Sequence, residues 1–281
     1  MTLLDWLISK YPTAKRITLR RMFDDGRVSV NGIKPRSLKV ELKASDDVRV
    51  IEWRARVDED AVPEPLPFSI VYEDADVLVI DKPPGLLTAT VPHEHRPTAL
   101  AAVTRHLAES DAATRVGLIH RLDRDASGLL VFSKNPDAYH SLKRQFFEHA
   151  VDRVYHAIVE GKPKRTSGRI ESRLVELNDG SVKTTKRPDA GELAVTEFKV
   201  IRVAKDVSLL RVTLHTGRKH QIRVHLSEMG HPIVNDAMYS KHPRTGRLML
   251  VASELAFDHP RAGNRVRFTA TIPREMTARV K

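Results

Sequence analysis

The sequence predicts an α+β protein: a large domain built on a mixed, largely antiparallel sheet, preceded by a small helix-helix-hairpin unit. Three observations carry that expectation. Beyond residue 67, short apolar or alternating runs outnumber helical patterns. Strand and helix signals interleave irregularly, without the repeating strand-helix order of a parallel sheet. A stretch with Pro63, Pro65 and Pro67 separates the two parts, and prolines in series favour an extended connection. The expected boundaries are 1–52 for the small domain, 53–67 for the linker and 68–281 for the large domain.

In the first unit, Leu3, Leu4, Leu7 and Ile8 recur at helical spacing, with Thr2 as N-cap and Asp5 in the first turn. A second helix is expected from Thr18 through Leu19, Met22 and Phe23, ending at Asp25-Gly26. Arg27-Val28-Ser29-Val30 alternates, Asn31-Gly32 offers a tight turn, and Val48-Arg49-Val50 alternates again. Residues 1–52 hold eleven Lys/Arg against seven Asp/Glu. Lys15, Arg16, Arg20 and Arg21 crowd the second helix, a pattern suited to gripping phosphates or simply to a solvated basic face.

In the large domain, Val77-Leu78-Val79-Ile80 and Leu129-Leu130-Val131-Phe132 read as short buried strands. The first ends at Lys82-Pro83-Pro84-Gly85. Thr196, Phe198 and Val200 alternate with charged residues, as do Val266 and Phe268. Helices are expected at 98–107, 137–147 and 220–229, the last closed by Gly230.

Composition narrows the function classes. Among 281 residues, 47 Lys+Arg against 36 Asp+Glu leave a net charge of +11, which suits a polyanionic partner. Aromatics at 5% favour recognition through backbone and shape over stacking platforms. No cysteine is present, which excludes disulfides, thiolate metal sites and cysteine nucleophiles, and fits the cytoplasm. No run nears the roughly 18 apolar residues of a membrane span, and no secretory signal is visible, so no membrane partner is expected.

The sharpest local signal is His120-Arg121-Leu122-Asp123-Arg124-Asp125-Ala126-Ser127-Gly128, directly before an apolar strand. Arginines beside a carboxylate keep it ionised, hence available as nucleophile or base. On pattern alone, a salt-bridged turn fits equally well. Residues 121–128, however, resemble the R-L-D-x-x-T/A-S-G motif of the RluA-type pseudouridine synthases. Further segments resemble that family in order. They are Tyr72 to Gly85, with Asp81 for asparagine; Arg153-Val154-Tyr155-His156-Ala157; and Leu214 to Leu226, containing Thr216-Gly217-Arg218-Lys219-His220-Gln221-Ile222-Arg223. Gly230 to Asp236 follows, with Asn235 for glycine, and then 248–252, with Val251 for histidine. Ala126 stands where threonine is usual.

The resemblance implies the pseudouridine synthase fold and the isomerisation of uridine to pseudouridine without cofactor or metal. It implies Asp123 as the essential acid, Tyr155 beside it and Arg223 as the partner of Asp123. Asp125 falls on a variable position. Residues 1–52 resemble the alpha-L RNA-binding domain; a small basic helical cap is the alternative. RNA contacts are expected at Arg121, Lys15, Arg16, Arg20, Arg21, Arg218, His220 and Gln221. The expected substrate is ribosomal RNA of the large subunit, with tRNA as the alternative, and the expected state is a monomer. His93-Glu94-His95 and the set His220, His225 and His231 are not expected to bind metal, since His220 and His225 share no helical face. Two rival functions are a non-catalytic RNA-binding or ribosome-assembly factor and a hydrolytic glycosidase with a carboxylate pair.

Overall fold

The computed structural model describes every residue except 13, 15, 25, 44, 51–65, 91–95, 112 and 242–245, together with the side chains of Ile17 and Arg21. Lys15, the Arg21 side chain, most of the expected linker and His93-Glu94-His95 therefore lie outside the described residues. The chain divides into two compact units, Met1–Glu64 and Pro65–Lys281.

The first unit opens with α1 (Leu3–Lys10). Its start is fixed by a reciprocal cap: the Asp5 N–H donates to Thr2 Oγ1, and the Thr2 N–H donates to the Asp5 carboxylate, each at 3.2 Å. Leu3 and Leu7 pack against Leu19 and Met22 of α2 (Arg16–Asp24) and Val28 of β1 (Val28–Val30). Helix α2 starts two residues before the expected Thr18, on Arg16. Arg16 and Arg20 are exposed. The antiparallel partner of β1 is β2 (Val48–Val50), with Val28 opposite Val50. Asn31 and Gly32 do turn, both at positive φ (53° and 78°). That turn only brings Ile33 back to Val30; β2 arrives later. The Asn31 side chain secures the return, donating to Asp46 and accepting from the Asp47 N–H at 2.9 Å each.

The second unit runs β3 (Ser69–Glu73), β4 (Val77–Lys82), α3 (Ala99–Ser110), β5 (Gly117–Leu118), β6 (Ser127–Ser133) and α4 (Pro136–Phe147). It continues through β7 (Asp152–Glu160), β8 (Ser167–Glu176), β9 (Val182–Thr185), β10 (Glu192–Val203), β11 (Val207–Leu214) and α5 (Gln221–Glu228). It closes with β12 (Leu250–Asp258), β13 (Arg265–Thr269) and α6 (Arg274–Ala278). These strands form a single sheet in the order β3-β4-β6-β12-β7-β11-β10-β8-β9, with β13 beside β12 and β5 beside β6. The β6–β12 pairing is parallel and the other described pairings are antiparallel, so the sheet is mixed and largely antiparallel as the sequence predicts.

The continuous apolar runs of β4 and β6 have a direct cause: both faces of these strands are covered. Leu78, Ile80, Leu130 and Phe132 face a core that includes Ala99, Val103 and Leu107 of α3. Val77, Val79, Leu129 and Val131 face the opposite side, with Leu142 of α4. Strand β12 separates β6 from β7, which sets those two strands about 10 Å apart. Asp123, on the loop before β6, and Tyr155, on β7, line one cavity.

Candidate active site

The loop carrying Asp123 is pinned on both sides of the carboxylate. Before it, Thr88 Oγ1 donates to the Leu122 carbonyl at 2.8 Å and accepts from the Leu122 N–H at 3.2 Å. After it, the Arg124 carbonyl accepts from Lys82 Nζ at 3.0 Å and from the Gly85 N–H at 2.8 Å. Lys82 Nζ also donates to the Pro83 and Leu86 carbonyls, both at 2.8 Å. Burial pushes the Lys82 pKa down to about 8, against the pull of Asp125, Asp123 and Asp81. Gly128 ends the loop at φ +111°, where a Cβ would sit 2.2 Å from the Ala252 carbonyl oxygen. Only glycine lets β6 approach β12 this closely in that conformation.

Between these pins, Asp123 faces a cavity of about 560 Å³, within the range of roughly 300–1,000 Å³ common for small-ligand sites. Tyr155, on the floor, is buried. Burial chiefly drives its pKa up to about 12; Arg153 opposes this and Asp123 adds to it, so the phenol is neutral at physiological pH. Asp125 is held apart by Arg124, which grips it through Nε and Nη2 at 2.8 and 2.9 Å and, with that pairing as the largest cause, keeps its carboxyl below the usual range.

Arg223, on α5, meets Asp123 as expected, but its planar fork is turned to Asp236. Nε and Nη2 donate to Asp236, each at 2.8 Å, while Nη1 alone reaches Asp123 Oδ2, at 3.4 Å. The Tyr239 ring lies beneath, 5.0 Å from the guanidinium carbon. Burial opposes the Arg223 charge, but Asp236 and then Asp123 outweigh it and lift its pKa above the ordinary arginine value. Asp236 is itself oriented by the Met238 and Tyr239 N–H groups at 3.0 and 3.1 Å. The geometry is a chain of support: backbone to Asp236, Asp236 to Arg223, Arg223 to Asp123.

The expected RNA contacts in this unit divide. Arg121 is exposed at the cavity. Arg218 also lines it, paired with Glu192 at 2.8 Å. His220 is not on the helix: it precedes α5 at φ 53°, so it shares no helical face with Arg223, and its Nδ1 meets the Tyr239 hydroxyl at 2.8 Å. Gln221 is buried with its amide fully engaged. It accepts from Thr216 and the Arg218 N–H and donates to Val195 and Thr196.

Three site residues escape the sequence reading. Lys82 had a visible signal, since it shares the β4 face of Leu78 and Ile80 and so had to be buried. Asp236 had a weaker one, as the lone acid after the apolar Pro232-Ile233-Val234. Arg153, two residues before Tyr155 on the same face of β7, was readable only as a motif position. Three of the departures from the family pattern are accommodated. Asn235 adopts φ 65°, the left-handed conformation that glycine would take, and its side chain donates to the Arg247 carbonyl at 2.9 Å. Ala126 and Val251 join the apolar core.

One group among the described residues has the makings of a cation site, Asp74, Asp76 and His259. Arg261 already grips Asp76 through two donors at 2.7 and 2.8 Å, and His259 meets Asp74 at 2.7 Å. It stands at the opposite end of β4 from Lys82, roughly 17 Å along the strand.

Residues 76–228 match the family model described as RNA pseudouridylate synthase. A Chlorobaculum parvum protein named an RNA pseudouridine synthase is 35% identical, over 96% of this chain and 90% of its own. A Neisseria meningitidis serogroup B protein named ribosomal large subunit pseudouridine synthase D is 33% identical, over 97% of this chain and 76% of its own. Among solved structures, human RNA pseudouridylate synthase domain containing 4 shares the fold at a TM-score of 0.63 and 23% identity, over 74% of this chain and 90% of that one.

Proposed function

This chain belongs to the RNA pseudouridylate synthase family, and from that premise we propose that it isomerises uridines of large-subunit ribosomal RNA with Asp123 as the reacting carboxylate. The reaction breaks the bond from ribose C1′ to uracil N1, turns the base and joins C1′ to C5. The C5 proton leaves and N1 gains one, so no atom is added and no electron acceptor is needed. Asp123 attacks the sugar or removes a ribose proton, and both roles require an anion. The observation that carries the reading is the Asp123 carboxylate, pinned at both flanks and facing the cavity with Arg223 Nη1 3.4 Å away. Tyr155 would contact the base or ribose as a neutral phenol. A stacked target must be flipped out, at a cost of a few kcal/mol, which backbone contacts from the basic surface offset.

The ribosomal target rests on the name of the Neisseria relative, and the N-terminal unit, with Arg16 and Arg20 exposed, would add contacts to RNA. The reading includes action in the cytoplasm, as a monomer. No helix among the described residues is long and apolar enough to cross a membrane. A hydrolytic glycosidase needs a second available carboxylate; here Asp125 is bound by Arg124 and Glu192 by Arg218. The test is to incubate unmodified ribosomal RNA and tRNA with the protein and map carbodiimide-reactive pseudouridines. New sites in large-subunit RNA support the proposal. Sites confined to tRNA reassign the target, and free uracil with abasic positions would replace isomerisation by hydrolysis.

A further inference from the structure

Arg153 is a buried cation in the cavity with no acid to hold it among the described residues. Its side chain is packed away, 8% of the residue exposed, yet it forms no ion pair with any described residue. Its polar contact is a long one, from Nη2 to the His215 carbonyl at 3.4 Å, and Nε is buried without a partner. The Phe146 ring lies 5.5 Å from the guanidinium carbon. Gly217 lies over Nη1, where an added Cβ would stand 2.5 Å away. A side chain at 217 would therefore cover or displace the guanidinium. Burial lowers the Arg153 pKa, and the neighbouring Arg218 lowers it further. A guanidinium desolvated beside another cation is unfavourable in the isolated protein, unless an anion arrives to complete it.

We propose that Arg153 is the anion seat of the cavity and takes a phosphate of the RNA backbone next to the reacting uridine. The inference rests on the function proposed above and names how that site holds its substrate. Phosphate is the only full anion a uridine nucleotide brings, and the planar fork suits two of its oxygens. Arg153 shares the β7 face of Tyr155, two residues along, so its Cα lies about 7 Å from that of the tyrosine. That separation allows the base to reach Tyr155 while the backbone reaches Arg153. Gly217 then has a reason beyond turn geometry, as the opening over Nη1.

The test compares wild type with Arg153→Met, Arg153→Lys and Gly217→Ala in two measurements. One follows tritium released from uracil C5 of a large-subunit ribosomal RNA transcript. The other follows thermal unfolding with inorganic phosphate, against chloride at equal ionic strength. Arg153→Met should lose on the order of ten- to a hundredfold in kcat/KM, the factor expected from one charge-assisted contact. Its melting temperature should not fall, because an unpaired buried cation has been replaced by an apolar chain. Phosphate should stabilise wild type and leave Arg153→Met unmoved, with Arg153→Lys intermediate in both measurements. Gly217→Ala should lose the phosphate response although the charge remains.

Activity near wild type in Arg153→Met, or an equal phosphate response in both proteins, overturns the proposal. So does a loss confined to kcat with the phosphate response intact, which would assign Arg153 to charge developing on the departing base. Should Arg153→Met fail to fold, Gly217→Ala decides: retained phosphate response overturns the seat and its loss supports it. The phosphate measurement needs no turnover, so a wild-type protein that releases no tritium refutes the proposed function without deciding the seat.

Discussion

Arg153 lines the candidate site and Arg223 reaches its Asp123, and the two are buried to nearly the same degree, 8% and 7% exposed. Arg223 has two carboxylates and an aromatic ring; Arg153 has one distant carbonyl and an aromatic ring. Lys82 is the intermediate case, fully buried with three backbone carbonyls and, among the described residues, no acid in direct contact. The difference teaches that burial alone does not assign a cation's work. What completes it does. A cation completed by the protein is framework that orients Asp123, and one left incomplete is poised for something that arrives.

The largest expected effect follows from breaking the completed pair. Arg223→Ala strands a buried Asp236 carboxylate, which should destabilise the fold by ~3–5 kcal/mol and abolish turnover. Arg223→Lys keeps the charge without the fork and should recover activity only in part. The double replacement Arg223→Met with Asp236→Leu should regain much of the stability and none of the turnover, as read by denaturant unfolding and tritium release. Purely additive stability losses in the double variant would break the contrast with Arg153.

Lys82 sharpens the comparison through pH. Its folded pKa is about 8, against 10.5 for an ordinary lysine. Below pH 8 both states carry the charge and the full burial penalty applies. Between pH 8 and 10.5 the unfolded chain binds the extra proton, so stability rises with pH in that window. Tyr155 acts in the opposite sense above pH 10, because its folded pKa is about 12 against 10.0. Wild type should therefore gain about 3 kcal/mol on Lys82→Met across pH 8 to 10.5. Parallel stability curves would show that the three carbonyls leave no burial penalty to relieve.

The smallest effect concerns exposed cations, which salt screens and buried ones resist. Deleting residues 1–60 should weaken RNA binding modestly and make its salt dependence shallower, by about one unit of slope for each phosphate that the N-terminal unit neutralises. Equal slopes for the full and shortened chains would remove the N-terminal unit from RNA binding.

Local patterns were legible in the sequence where short-range rules decide the outcome. Thr2 and Asp5 mark the start of α1, and the apolar runs of β4 and β6 announce strands covered on both faces. Long-range placement was not legible. Nothing local says that β12 inserts between β6 and β7, yet this makes Gly128 necessary. The Asn31-Gly32 turn forms, but the strand that pairs with β1 lies beyond it, because the Asn31 side chain ties the chain to Asp46 and Asp47. At the candidate site, Asp123, Tyr155 and Arg223 could be named from motifs. The acceptor for the Arg223 fork could not, since Asp236 lies on a separate loop after α5. His220 was named but misplaced on the helix, because its positive φ starts α5 one residue later than helical spacing suggests.

The central claim is that Asp123 does the chemistry while its neighbour Asp125 is held in an ion pair with Arg124. Single-turnover release of tritium from uracil C5 of ribosomal RNA, measured for Asp123→Asn and Asp125→Asn side by side, tests it most directly. Asp123→Asn should release none while binding RNA as wild type does, and Asp125→Asn should keep most of the rate. Release by Asp123→Asn with its loss in Asp125→Asn would contradict the account and move the reacting carboxylate to Asp125.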